Sequence, residues 1–326
     1  MKFCNIEVES PFFLAPMAGV TDVPFRSVCE DYGAALTYTE MVSAKALTYK
    51  DEKSARMLHL PEKRKPCFAQ IFGSEPDVMA EGARLAAEIS GAEGIDIDMG
   101  CPVSKIVGNG EGSALMRDPK LAEAIIKAVV AAVDVPVTVK FRKGFEAGAD
   151  TCVEFAKMAE QAGVAALCVH GRTRAQMYTG QSDRTAITRV REAITSIPVL
   201  ASGDALSAKA CFEILDETGA DAVMIARGAE GNPFIFEDCL RRMQGRDLRR
   251  PTCGELLDLL IRHAEEMVAW KGERSLVEFR KHALWYLGRL SGVKPYKVQM
   301  SGVSDLAHLK SICEAIRKED PAVKEA

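Results

Sequence analysis

The chain has 326 residues, 48% hydrophobic and 27% charged, an ordinary balance for a globular protein and enough chain for one large domain plus a small one. No run approaches the roughly 18 apolar residues of a membrane span. The opening MKFCNIEVESPFF lacks a basic-then-apolar leader, so a cytoplasmic protein without membrane contact is expected.

Net charge is −4, which argues against a simple nucleic-acid binder and against DNA as a partner. The charge is unevenly spread. Residues 241–326 carry 17 Lys and Arg against 12 Asp and Glu, a net +5, which leaves −9 on residues 1–240. A basic tail on an acidic body suits a polyanion-binding appendage or a helical domain that is simply basic. None of the ten cysteines forms a C-x-x-C pair, so no zinc or iron–sulfur site, and no bound metal, is expected.

In chain order, eight short apolar runs recur: 12–17, 36–39, 67–71, 94–98, 135–140, 165–170, 199–202 and 222–225. They lack clean polar alternation, as parallel strands buried on both faces do. Amphipathic stretches at 76–90, 119–133, 152–161, 184–196 and 208–217 lie between them, two opening on proline. Eight strand–helix units in about 235 residues match an α/β TIM (β/α)8 barrel. A doubly wound sheet would want G-x-G-x-x-G after its first strand, and this chain has Ala-Gly-Val-Thr-Asp. Residues 241–250 read as a linker, followed by helices near 254–271, 275–290 and 304–317. The expectation is a barrel over 1–240 and a small C-terminal all-helical domain over 241–326.

A barrel of this kind carries its chemistry at the carboxyl ends of its strands. There the sequence places Met17, Glu40, Gln70, Asp98 with Cys101, Lys140 with Arg142, His170 with Arg172, Ser202-Gly203-Asp204 and Arg227-Gly228. The last two groups follow strands seven and eight, whose loops often hold a phosphate. Cys101 lies between Gly100 and Pro102 in a loop, where a thiol can act as an acid or as a nucleophile. Lys140 suits a carboxylate partner or a cofactor's negative charge, and His170 a structural or a chemical role.

These segments resemble the tRNA-dihydrouridine synthases, closest to the bacterial B-type branch. The resemblance is carried by LAPMAGVTDVPFR (14–26), TEM (39–41), QIFG (70–73), MGCPVSKIVGNGEGSALMRDP (99–119), VKFRKG (139–144), HGRTRAQMYTG (170–180), SGDA (202–205), ARGAEGNPFIF (226–236) and RKHALWYLGRL (280–290). It implies an FMN-dependent oxidoreductase. NADPH, less often NADH, reduces the flavin, which passes hydride to C6 of a uracil in tRNA while a cysteine protonates C5. By resemblance that cysteine is Cys101. Pro16, Met17 and Gln70 contact the isoalloxazine, Lys140 its N1/O2 edge, with His170 nearby. Gly203, Asp204, Arg227 and Gly228 hold the phosphate region, Asp98 faces substrate, and Arg174 meets flavin or RNA phosphate. The helical tail binds tRNA, the B-type likeness suggests D-loop position 17, and a monomer is expected. The alternatives are another FMN barrel acting on a small molecule, or a non-catalytic tRNA-binding factor. The chain departs from the family in having Asp98 where asparagine is usual, Ser202 where asparagine is common, and Asn232 where the B-type often has arginine.

Overall fold

The computed structural model describes residues 1–61 and 64–324. Eight parallel strands form one sheet among them: β1 (Phe12–Leu14), β2 (Thr37–Tyr38), β3 (Cys67–Phe72), β4 (Gly94–Met99), β5 (Val137–Gly144), β6 (Ala166–Thr173), β7 (Val199–Ser202) and β8 (Ala222–Ile225). β8 pairs with β1, and β1 meets β2 through a bridge between Phe13 and Leu36, so the sheet returns on itself as a barrel. All eight expected runs are strands. They are short and almost wholly buried, Phe72, Lys140 and Lys143 being partly exposed, because helices cover the outer face while side chains fill the inside. A further short strand, Val42–Ser43, pairs with β3.

The helices follow their local signals. Pro76–Ser90 starts on proline and stops at Gly91 in the left-handed region. Pro119–Ala132 and Arg184–Ala193 are capped by Asp118 and Asp183 through amides three residues on.

An N-terminal hairpin, Lys2–Phe3 against Ile6–Glu7, is outside the sequence expectation. Its turn residues Cys4 and Asn5 both have positive φ, the geometry of a tight hairpin turn. Phe3 is fully buried and its ring lies 5.1 Å from that of Phe13 and 5.8 Å from that of Phe68. Together with Ala166, Leu200 and Ala222 these rings fill the barrel where its strands begin. That end is closed by hydrocarbon, each large side chain contributing about 2 kcal/mol, and chemistry is left to the other end.

The chain forms two compact units. The first comprises residues 1–23, 34–205 and 209–226, and the second residues 24–33, 206–208 and 227–326. The second unit contains helices Val23–Asp31 (from Pro24 on), Phe234–Met243, Cys253–Lys271, Leu276–Gly288, Lys294–Met300 and Leu306–Glu319. Arg241–Met243 are the last turn of a helix rather than linker. Lys294–Met300, a seven-residue helix with proline in its first turn, is too short to show a period. The Thr252/Glu255 capping box starts the longest helix. Phe25, Val28, Leu256, Leu260, Phe279, Tyr286 and Ile312 are buried, and all but Phe25 belong to one apolar core. Phe25 lies against His263 and His282, which are both fully buried. No helix of the described residues is long and apolar enough to cross a membrane.

Candidate active site

Side-chain alternation along a strand sends every second residue inward. On β4, Gly-Ile-Asp-Ile-Asp-Met puts Asp96 and Asp98 on one face and the fully buried Ile95 and Ile97 on the other. Register places Gln70 and Thr138 beside Asp96, and Lys140 beside Asp98. Asp96 is 1% exposed. It accepts from Gln70 Nε2 at 2.7 Å and from Thr138 Oγ1 at 2.5 Å. Burial pushes its carboxyl up to about 6, more than the two hydrogen bonds pull it back.

The folded state therefore holds this proton to higher pH than the unfolded chain. Its contribution to stability is complete below the ordinary aspartate value and is lost as pH rises through about 6, a swing of about 3 kcal/mol. Asp96→Asn keeps the shape without titrating. Urea denaturation of both proteins is expected to show the wild type losing about that much relative to the variant between pH 4 and 7. A difference that stays level across this range would contradict the account.

Beyond β4 the chain folds back over Asp98. Its Oδ1 accepts from the Gly100 amide and its Oδ2 from the Cys101 amide, each at 3.2 Å. The carbonyl of Cys101 accepts from Ser113 Oγ at 2.8 Å and from the Ser113 amide at 3.1 Å. Gly112, at φ +58°, sits so close that a Cβ there would lie 3.0 Å from the same oxygen. Arg142 on β5 ties this loop to the next one. Nε donates to Gly100 O at 2.7 Å, and Nη1 to Thr173 O and Met177 O at 3.0 Å each. Cys101 is thus half-buried in a loop held at four points. Its thiol is pushed up to about 11, first by burial and second by Asp98. A thiol so placed keeps its proton at neutral pH, which favours the acid over the nucleophile left open by the sequence.

Next round the barrel His170 is buried on β6, in register with Arg142 on β5 and Ser202 on β7. Arg172, 2% exposed, gives Nη2 to both oxygens of Asp204 at 2.8 Å and to Gly180 O at 2.5 Å, and Nε to Thr179 O at 3.1 Å. Asp204 also accepts from the Ser182 amide at 2.8 Å and stands at φ +56°. At Gly203, φ +119°, a Cβ would meet Ser182 Oγ at 2.3 Å and His170 Cδ2 at 3.0 Å. Only glycine permits that approach.

Gln70, Asp98, Cys101, Lys140, His170, Gly203 and Asp204 therefore gather at the ends of β3 to β7. Pro16 and Met17 are half-buried in the turn after β1, whose shape is set by Thr21 Oγ1 accepting from the Met17 amide at 3.0 Å. Arg174 lies farther along the loop after β6, its guanidinium 5.4 Å from the Phe145 ring centre. Arg227 and Gly228 begin the long final stretch of the second unit. There Gly228 O accepts from Asn232 Nδ2 at 3.2 Å. Asp96, Thr138 and Ser182 were not singled out from sequence. The i, i+2 spacing of Asp96 and Asp98 on an apolar strand is the one signal that could have flagged Asp96, and Ser182 carries none.

Among solved structures the fold is similar to a 2-naphthoyl-CoA reductase complex (TM-score 0.59, 10% identity, 76% of this chain and 52% of that one). It is also similar to histamine dehydrogenase from Rhizobium sp. 4-9 (TM-score 0.59, 13% identity, 81% and 50%). The chain spans about half the length of each, and at these identities the likeness is one of fold. Sequence relatives are nearer. A tRNA-dihydrouridine synthase B of Pseudomonas aeruginosa is 42% identical over 295 residues, 90% of this chain and 88% of that protein. A second, from Vibrio parahaemolyticus, is 43% identical over 290 residues, 88% and 89%. A probable tRNA-dihydrouridine synthase 1 of Synechocystis sp. is 39% identical over 316 residues, 96% and 88%. The family model described as "Dihydrouridine synthase (Dus)" matches residues 13–320. The chain belongs to the dihydrouridine synthase family.

Proposed function

We propose that the chain is an FMN-dependent, cytoplasmic tRNA-dihydrouridine synthase that reduces the C5–C6 bond of a D-loop uridine at the expense of NADPH, with Cys101 as the proton donor. The observation that carries this reading is the Asp98–Cys101 turn beside Lys140 at the carboxyl ends of the barrel strands. The names of the relatives supply the substrate class.

Two features fit a flavin phosphate. The chain at Gly203 lies so close to the Ser182 and His170 side chains that only glycine fits, and Gly203 and Asp204 both take positive φ there, the tight glycine-bearing turn after β7 that suits a phosphate. Arg172 Nη1 is buried with no protein acceptor, a charged donor in reserve. When bound, the flavin supplies the hydride for C6. Gly203 and Asp204 offer amides to its phosphate, the Asp204 carboxylate being taken by Arg172. The assignment of Arg227 and Gly228 to the phosphate rests on the family resemblance. Gln70 has its amide donor on Asp96, which leaves Oε1 to accept from the flavin ring. Lys140 would supply a cation to the flavin ring, and Pro16, Met17 and His170 would help hold that ring. Cys101 Sγ delivers its proton to C5 as C6 gains hydride, and the thiolate regains a proton from water. Asp98 and Arg174 face the substrate side. A uracil inside folded tRNA is out of reach and must be splayed out first. The basic tail, net +5, supplies phosphate contacts that weaken steeply with salt.

The test is nucleoside mass spectrometry of tRNA from a strain lacking this gene. Loss of dihydrouridine at one D-loop position, position 17 by the B-type likeness, is expected, with restoration by purified yellow protein and NADPH. Unchanged dihydrouridine at every position, with no second enzyme covering the site, would sink the proposal.

A further inference from the structure

Both carboxylate oxygens of Asp98 are in use, one by the Gly100 amide and one by the Cys101 amide. An asparagine side chain has a single acceptor oxygen, and its NH2 can only donate. The turn as built thus suits aspartate and would leave one amide unpaired over asparagine. The carboxyl is 5% exposed, so whatever charge it carries is poorly screened.

The groups facing it are Lys140 and Arg142 on β5 and Asp96 on its own strand. Those facing the Cys101 thiol are Asp98, Lys140 and Arg142, with the Val103 amide donating to the sulfur. Two cations would be expected to draw a proton off a thiol. One of them, Arg142, spends its donors on three carbonyls, and the other, Lys140, stands directly across from Asp98 in the sheet.

We propose that Asp98 is a positioning residue for Cys101: its two oxygens set the turn that presents the thiol, and its negative charge stands against the sulfur and keeps the proton on it. The inference rests on the reading of Cys101 as the acid. It deepens that reading by giving the aspartate, unusual in this family, a task of its own. Thiolate beside carboxylate is a like-charge pair, so removing the carboxylate makes ionisation easier.

The test is iodoacetamide alkylation of the purified, flavin-loaded protein between pH 7.5 and 9, followed at the Cys101 and Cys4 peptides by mass spectrometry. Over this range the alkylation rate tracks the thiolate fraction. Asp98→Asn is expected to alkylate about tenfold faster at Cys101 at every pH, one unit of thiol ionisation. Asp98→Glu, which keeps the charge and spoils the turn, is expected to stay near the wild type. Half-buried Cys4, at the far end of the barrel, is expected to be unchanged in both. A Cys101 rate in Asp98→Asn equal to or below wild type overturns the proposal. So does an equal acceleration in Asp98→Glu, or at Cys4, because either marks a loosened chain rather than a lost charge. If Asp98→Asn does not fold, Asp98→Ser, which also removes the charge, takes its place: faster alkylation at Cys101 alone supports the proposal, and a rate equal to or below wild type overturns it. No RNA enters this measurement, so its failure is separable from a failure to find dihydrouridine.

Discussion

Cys101→Ala is expected to bind flavin and to be reduced by NADPH at the wild-type rate, while uridine reduction falls by about 10²–10⁴-fold, the usual range for loss of a positioned general acid. The split follows from where the residue sits. Cys101 contributes a carbonyl to Ser113 and an amide to Asp98, both through its backbone, so alanine keeps these bonds and loses only the sulfur with its contact from the Val103 amide. Stopped-flow absorbance resolves the two half-reactions: bleaching with NADPH, then recovery of the yellow form with tRNA in the absence of oxygen. Slowed bleaching would contradict the assignment, because the reductive half needs no proton from this thiol. In the wild type the acid form is the active one, so the rate of the second half is expected to hold level through neutrality and to fall only as pH climbs toward about 11.

Arg172→Met has the larger expected effect on stability. The guanidinium is nearly inaccessible and anchors Thr179 O, Gly180 O and both Asp204 oxygens. Methionine fills much of the volume and satisfies none of them. Breaking a buried pair from one side costs about 3–5 kcal/mol. Asp204 is a non-glycine residue in the left-handed region, at a cost of about 1–2 kcal/mol that its bonds to Arg172 and Ser182 offset. Freed, it takes Gly203 with it, so flavin content of the purified variant should drop alongside the urea midpoint. An unchanged midpoint would show the pair to be ornamental. A lowered midpoint with full flavin content would remove the loop from the phosphate site.

Much of the fold was legible because parallel strands buried on both sides leave runs of apolar residues at regular distances, and all eight runs are strands. The N-terminal hairpin was not, since its two-residue strands carry no period and its closing contact, Phe3 on Phe13 and Phe68, joins residues far apart in sequence. At the site, residue types at strand ends pointed to Gln70, Cys101, Lys140 and His170. The bonds that fix them were hidden. Arg142 works through three backbone carbonyls and Arg172 through two, and a carbonyl has no sequence signature. Asp98 stood out as a departure from its family, but only its geometry tells that both oxygens are occupied.

The helical unit takes residues 24–33 from near the start of the chain and 227–326 from its end. Phe25 and Val28 are buried there against side chains such as His263, Leu256 and Leu260, which are made much later. At 5–20 residues per second, the ribosome needs roughly 10–45 s to deliver the intervening stretch of about 220 residues. Through that interval the apolar stripe of this first helix has no partner. The nascent chain therefore carries an early sticky segment that only the last-made part of the protein can cover. A stop codon anywhere before residue 253 strands it, so no single cut in the gene yields two intact halves.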